Sequence, residues 1–203
     1  MENGAVFPLF YLPNVEFFKN LQSFKGTEIL MEHQEHYPKQ TYRNRTIIAG
    51  PNGKLELSVP VKKGDIKRTP YKELRICNDD NWQRIHWFSL CTSYRSSAYF
   101  EFYEDAFAPF YHQKFNFLFD YNQQILEVVL KSLKLKIDYS LTNEYHPIYE
   151  DKQDFRTSLD FRRPTGYQTK KYYQVFEDRN PYLNNISILD LLFIQGPQAS
   201  KFF

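Results

Sequence analysis

Residues 37–63, YPKQTYRNRTIIAGPNGKLELSVPVKK, hold two extended segments that face each other across a Pro-Asn-Gly turn, and this pairing constrains the fold more than any other stretch. In the second arm Leu55, Leu57, Val59 and Val61 alternate with Lys54, Glu56, Ser58 and Pro60, the period of a strand with one buried and one wet face. The turn Gly50-Pro51-Asn52-Gly53 suits a hairpin, because proline presets φ while asparagine and glycine tolerate positive φ. In the first arm the same period puts Lys39, Thr41, Arg43 and Arg45 on one side and Gln40, Tyr42, Asn44 and Thr46 on the other.

That row of three cations has two readings. It is a solvated outer face, on which charge protects a sheet edge from pairing with a neighbour. Alternatively, Arg43 and Arg45 present planar forks to a phosphate or carboxylate, with Lys39 as a point charge and Tyr42 and Asn44 as orienting groups. Charge distribution favours the second. Residues 39–75 carry ten Lys or Arg, Lys62 among them, against Glu56, Asp65 and Glu73, a local +7 in a chain of net +2. Such asymmetry attracts anions without naming them.

A chain of 203 residues suffices for one domain with a substantial core. Its 19 Phe and 16 Tyr build that core or line a pocket, and buried tyrosine hydroxyls require partners. Cys77 and Cys91 lack metal-ligand spacing, so they read as reduced thiols in a cytoplasmic protein. Near the N-terminus Glu2, Pro8 and Pro13 argue against a signal peptide, and no apolar run is long enough for a membrane span.

The spacing predicts an α/β fold, with α+β as the variant: a β-α-β start, the central hairpin, and a bundle with one long helix packed on the sheet. Residues 5–12 form a first strand, Asn14 caps a helix over 15–23 with Phe17, Phe18 and Leu21 inward, and residues 27–31 return as a strand. The loop Tyr11-Leu12-Pro13-Asn14 then sits at a strand C-terminus, where α/β folds hold ligands. It lacks a glycine-rich phosphate fingerprint, so a dinucleotide fold is not supported, and no cofactor is expected. Glu32-His33-Gln34-Glu35-His36 invites a metal reading, but alternation sends His33 and His36 to opposite faces, and a polar strand exit is expected instead. After the hairpin come a basic loop over 62–72, a short strand over 71–76, and a helix ending near Tyr94 that is capped from Asn78, Asp79 or Asp80 and sandwiched between layers. Helices over 96–107 and 111–133 follow, the latter with a stripe of Phe115, Leu118, Phe119, Asn122, Ile125 and Leu126. A strand over 136–141, a polar loop over 145–171 acting as a lid or disordered without ligand, a strand over 172–176, and a helix over 186–194 capped by Asn184 or Asn185 and stopped by Gly196-Pro197 complete the chain.

Two groups are candidates for moving a proton. His86, one turn beyond Trp82, is a general base or a packed histidine with a carboxylate partner. Asp190 lies among Ile188, Leu189, Leu191, Leu192 and Phe193, where burial demands a cation or amide donors, one of the hairpin arginines being eligible.

Tyr11-Leu12-Pro13, Tyr42-Arg43-Asn44-Arg45, Ser58-Val59-Pro60-Val61, Asn81-Trp82-Gln83-Arg84, Tyr94 and Ile188-Leu189-Asp190-Leu191-Leu192-Phe193 together resemble the WbqC-like protein family. The resemblance covers residues 7–135 and 172–203. It singles out Tyr11, Pro13, Arg43, Asn44, Arg45, Trp82, Tyr94, Asp190 and Gly196 as pattern positions without assigning them chemistry. It implies a place in O-antigen or other surface-polysaccharide biosynthesis, with acyl or aminoacyl transfer to an amino sugar as one role. Longer members carry His-Gln-Pro before the Tyr-Leu-Pro; Phe7-Pro8-Leu9-Phe10 stands here, so a mechanism needing that histidine does not transfer.

The expectation is therefore a transferase acting on a nucleotide-activated sugar. Arg43, Arg45, Lys39 and Lys62 hold phosphate, Trp82 or Tyr94 stacks on base or sugar, and His86 or Asp190 moves the proton. The competing expectations are a non-catalytic module for RNA or an acidic protein, motivated by the basic segment with Tyr42 and Tyr71, and a structural role in a polysaccharide-assembly complex.

Overall fold

The computed structural model describes residues 3–62, 68–163 and 165–203. Residues 63–67 of the predicted basic loop lie outside them.

The fold is mixed α/β, built on a parallel sheet of four strands and a separate antiparallel hairpin. Strand β1 (Gly4–Pro8) is buried at every position, and its GAVFP reads as a continuous apolar run because both faces of a central parallel strand are covered. Gly4 lets β1 approach its neighbour, since a Cβ there would lie 2.3 Å from the Glu28 carbonyl oxygen. Helix α1 (Val15–Ser23) begins at Asn14, whose side chain accepts from the Phe17 amide at 3.2 Å, as expected of that residue. Strand β2 (Glu28–Glu32) then pairs parallel to β1 and completes the β-α-β start.

The hairpin β3 (Arg45–Gly50) and β4 (Gly53–Ser58) turns at Pro51-Asn52, with Gly50 opposite Gly53. Its first arm is not the one the alternation indicated. Residues 39–44 are bends and turns, and the strand is the apolar RTIIAG that follows, buried on both faces because α2 (Trp82–Tyr94) and α6 (Ile188–Gln195) lie against it. Residues 71–73 form a 3-10 turn instead of a strand, anchored by Tyr71 Oη donating to the Leu9 carbonyl at 3.0 Å.

Helix α2 leaves Ile85 61% and Phe88 72% exposed, so it is covered on one side and not sandwiched. Neither it nor α6 is capped as expected. The Asn78 amide donates to the Phe115 carbonyl, and Ser187 caps α6 while Asn184 and Asn185 bind the Tyr167 carbonyl and the Glu16 carboxylate. Helices α3 (Phe100–Phe107) and α4 (Pro109–His112) precede α5 (Leu118–Ser132), which starts later than expected. Buried Asn122 interrupts its apolar stripe to donate to the Arg43 carbonyl and to Tyr71 Oη, both at 2.7 Å. Short strands β5 (Ser140–Leu141) and β6 (Gln153–Asp154) join the parallel sheet in the order β5-β2-β1-β6. Residues 172–176 form no strand, because Tyr172 and Gln174 turn inward to Asp190. Gly196 ends α6 at φ 53°, where a Cβ would meet the Tyr99 ring at 2.6 Å.

Candidate functional site

In an open sheet of parallel strands, ligands sit outside the carboxyl ends, where connections depart in opposite directions. From β1 the chain crosses to β2 on one side, and β6 closes the other side. The segments leaving β2 and β6 meet over a cleft of about 470 Å3, lined by Glu35, Lys39, Arg43, Arg156, Asp160 and Arg162 among others. A second cleft of about 280 Å3 adjoins it and shares Leu159, Asp160 and Arg162. The chain at 41–43 serves both, Thr41 and Arg43 lining the first and Tyr42 the second.

Two buried ion pairs form the base of the first cleft. Arg43, 2% exposed at its side chain, brings Nε to 2.7 Å and Nη2 to 2.5 Å from Glu35 Oε1, and its guanidinium lies 5.7 Å from the Phe10 ring centroid. Arg156 binds Asp154 through Nε and Nη2, reaches the His146 and Pro147 carbonyls, and contacts Glu32 Oε2 at 3.4 Å. The rings of Tyr145 and Tyr149 lie 5.3 and 5.0 Å from its guanidinium carbon. Fully buried Glu32 also accepts from the Gln34 and Glu35 amides and Thr142 Oγ1. Both arginines are thus consumed by structural partners, as buried charges require.

Three groups remain for a ligand. Lys39 is exposed and makes no ion pair among the described residues. Arg162 is exposed and contacts Gln40 Oε1 across the cleft mouth, and Gln40 has φ 61°, a conformation non-glycine residues seldom adopt. Glu35 Oε2 has no hydrogen bond among the described residues, and burial pushes this carboxyl's pKa up despite the opposing pull of Arg43.

The residues singled out from sequence are distributed among several places. Lys39 and Arg43 line the first cleft and Tyr42 the second. Asn44 donates to the Val59 carbonyl at 3.0 Å, and Arg45 pairs with Glu56 at 3.0 Å beside the Phe161 ring, so both stitch the hairpin. Lys62 is exposed, its backbone amide bound to the Arg75 carbonyl. Pro13 and Leu12 present buried carbonyls to Ile188, Thr46 and Ser187.

Tyr11, His86 and Trp82 share a core cluster with Tyr111 and Tyr121. Tyr11 Oη lies 2.8 Å from His86 Nδ1 and 3.1 Å from Tyr111 Oη, and Trp82 sets its edge against His86. The partner of His86 is a phenol and not the carboxylate considered above, and burial lowers its pKa to about 4. Asp190 lies in a second buried cluster, accepting from Tyr172 Oη at 2.7 Å and Gln174 Nε2 at 3.0 Å with Tyr94 beside it; none of these partners is an arginine. Burial raises its pKa to about 6 against the pull of those donors.

Glu35, Arg162 and Phe161 were not singled out as ligand groups. Glu35 stood in the cluster weighed as a metal site, where His33 instead bonds the Thr142 carbonyl at 2.8 Å. Arg162 and Phe161 belong to an aperiodic segment, and no spacing signal could have found them. Among the described residues no three His, Cys, Asp or Glu side chains are grouped to hold a metal, and no helix is long and apolar enough to cross a membrane.

Comparison with curated proteins and with solved structures returned no match. The family model described as the WbqC-like protein family matches residues 10–169, a span that includes residues 145–169 of the polar loop left out of the sequence resemblance and ends before Asp190. Most of the chain, both arms of the hairpin and both segments that wall the first cleft therefore carry the pattern, and the chain belongs to the WbqC-like protein family.

Proposed function

We propose that this chain is a cytoplasmic transferase of surface-polysaccharide assembly, moving an acyl or aminoacyl group to the amine of a nucleotide-activated amino sugar bound in the first cleft. The observation that carries the reading is the cleft at the carboxyl ends of β2 and β6, where Lys39 and Arg162 stand beside Glu35. Lys39 and Arg162 hold the diphosphate, Arg162 exchanging its contact with Gln40 for phosphate oxygens. Glu35 Oε2 takes the proton that the amine loses as its nitrogen bonds to the acyl carbon and the bond to the donor's leaving group breaks. Arg43 holds the other carboxylate oxygen and fixes its direction. The proton moves through Glu35 in place of His86 or Asp190, whose side chains are buried in the core.

Isothermal titration of nucleoside-diphosphate sugars into the wild type and Lys39→Ala/Arg162→Ala tests this. One sugar should bind the wild type, with affinity at least about tenfold weaker in the variant, equivalent to about 1.4 kcal/mol. A folded wild type that binds none contradicts the reading. Binding of short RNA with a steep salt dependence would replace it with the nucleic-acid module.

A further inference from the structure

The second cleft is not used by the chemistry above, yet it opens from the same segment, residues 159–162. Leu159, Asp160 and Arg162 line both compartments, so a ligand whose phosphates lie at Arg162 can extend into each. The second differs in character from the first. Three aromatic side chains, Tyr42, Phe161 and Tyr182, contribute to its lining, and Ile47, Leu183 and Ile186 add apolar surface. Tyr42 and Phe161 meet edge to face at 4.8 Å, so the two rings brace each other before any ligand arrives. Arg45 lies 5.8 Å from the centroid of the Phe161 ring and adds a cation contact to it.

Polar groups interrupt this apolar lining. Asn14 faces this space beside Tyr42, and Thr165 and Asn184 also line it, whereas the buried Tyr182 hydroxyl turns away towards Thr169, Tyr172 and Asp190. An acyl chain would set apolar surface against Asn14, Thr165 and Asn184, whereas the edge of a heteroaromatic ring presents donors and acceptors to that side. Lys54 and Arg163 also contribute to the lining and favour a ligand with negative charge.

We infer that the second cleft is a nucleobase compartment: the base of a nucleoside diphosphate lies against Phe161 and Tyr42 with its edge towards Asn14 and Asn184, the phosphates cross at Arg162, and the sugar reaches Glu35. This rests on the anionic-ligand reading of the first cleft and fixes which end of the ligand enters which compartment.

The test compares pyrophosphate with uridine and adenosine diphosphates by titration into the wild type, Phe161→Leu and Tyr42→Leu, each checked for folding by circular dichroism. At least one nucleoside diphosphate should bind the wild type about tenfold or more tighter than pyrophosphate, the scale of base–aromatic stacking. That gap should close in a folded variant while pyrophosphate affinity is unchanged. Equal wild-type affinities, or a gap that persists in both variants, overturns the nucleobase compartment and leaves the first cleft as an anion site. No binding of pyrophosphate or of either nucleotide overturns both.

Discussion

Arg43 gives the sharpest energetic test, because sequence alternation casts it as a ligand fork and the structure makes it half of a buried pair. Its side chain is 2% exposed and that of Glu35 11%, with Nε and Nη2 on one carboxylate oxygen. Arg43→Ala leaves the Glu35 carboxylate buried and uncompensated, a loss of about 3–5 kcal/mol. At about 2–4 °C per kcal/mol for a chain of this size, the melting temperature should fall by roughly 6–20 °C. The loss should shrink on acidification. The raised pKa of Glu35 means the fold favours its protonated form, so the penalty of the missing partner exists only while the group is ionised. Glu35→Leu/Arg43→Met, which removes both charges, should recover most of the stability. Urea denaturation at pH 7 and pH 4.5 reads the free energies, and a thermal melt reads the temperature. If Arg43→Ala loses less than about 1 kcal/mol at pH 7, the value of an exposed pair, the buried-pair reasoning is wrong.

Three further outcomes follow from the buried clusters. His86, with a pKa lowered to about 4, removes stability as pH falls through its unfolded value towards 4, whereas Asp190, raised to about 6, adds stability as pH falls through 6; each is worth about 3 kcal/mol over its range. Asp190→Asn should therefore lose more stability between pH 7 and pH 4 than the wild type does, and equal slopes in denaturant titrations would refute the opposition. Gly196→Ala should destabilise by about 1–2 kcal/mol, since φ is 53° and the new Cβ meets the Tyr99 ring; an unchanged melting temperature would contradict this. Arg156→Ala should cost about 3–5 kcal/mol by stranding Glu32, and should speed proteolysis within residues 145–163; an unaltered cleavage rate would show that Arg156 does not tie that segment down.

What could be read from sequence was mostly local. Asn14 as a helix cap, Gly196 as a stop and Pro51-Asn52 as a hairpin turn each depend on chemistry within a few residues, and each stands where expected. The alternation of Lys39, Arg43 and Arg45 misled because charge at every second position also occurs in a chain that bends. Whether Arg43 faces solvent was decided by Glu35, eight residues earlier, and by Phe10 from another strand connection. Tyr71 and Tyr172 suggested strands because aromatic residues favour them, but their hydroxyls bind the Leu9 carbonyl and Asp190, and tertiary partners overrode the preference. The α/β class was legible in the β-α-β opening. The strap of residues 159–162 was not, because its position comes from β6 joining β1, and a two-residue strand leaves no periodic trace.

The central claim is that ligands bind where β2 and β6 end. Hydrogen–deuterium exchange of the full chain, with and without a saturating nucleoside-diphosphate sugar, tests it most directly. The expected result is slowed exchange centred on residues 34–43 and 156–162 and extending to residues 182–186, which line the second cleft. Protection confined to the exposed face of α2, or a map that the ligand leaves unchanged, would contradict it.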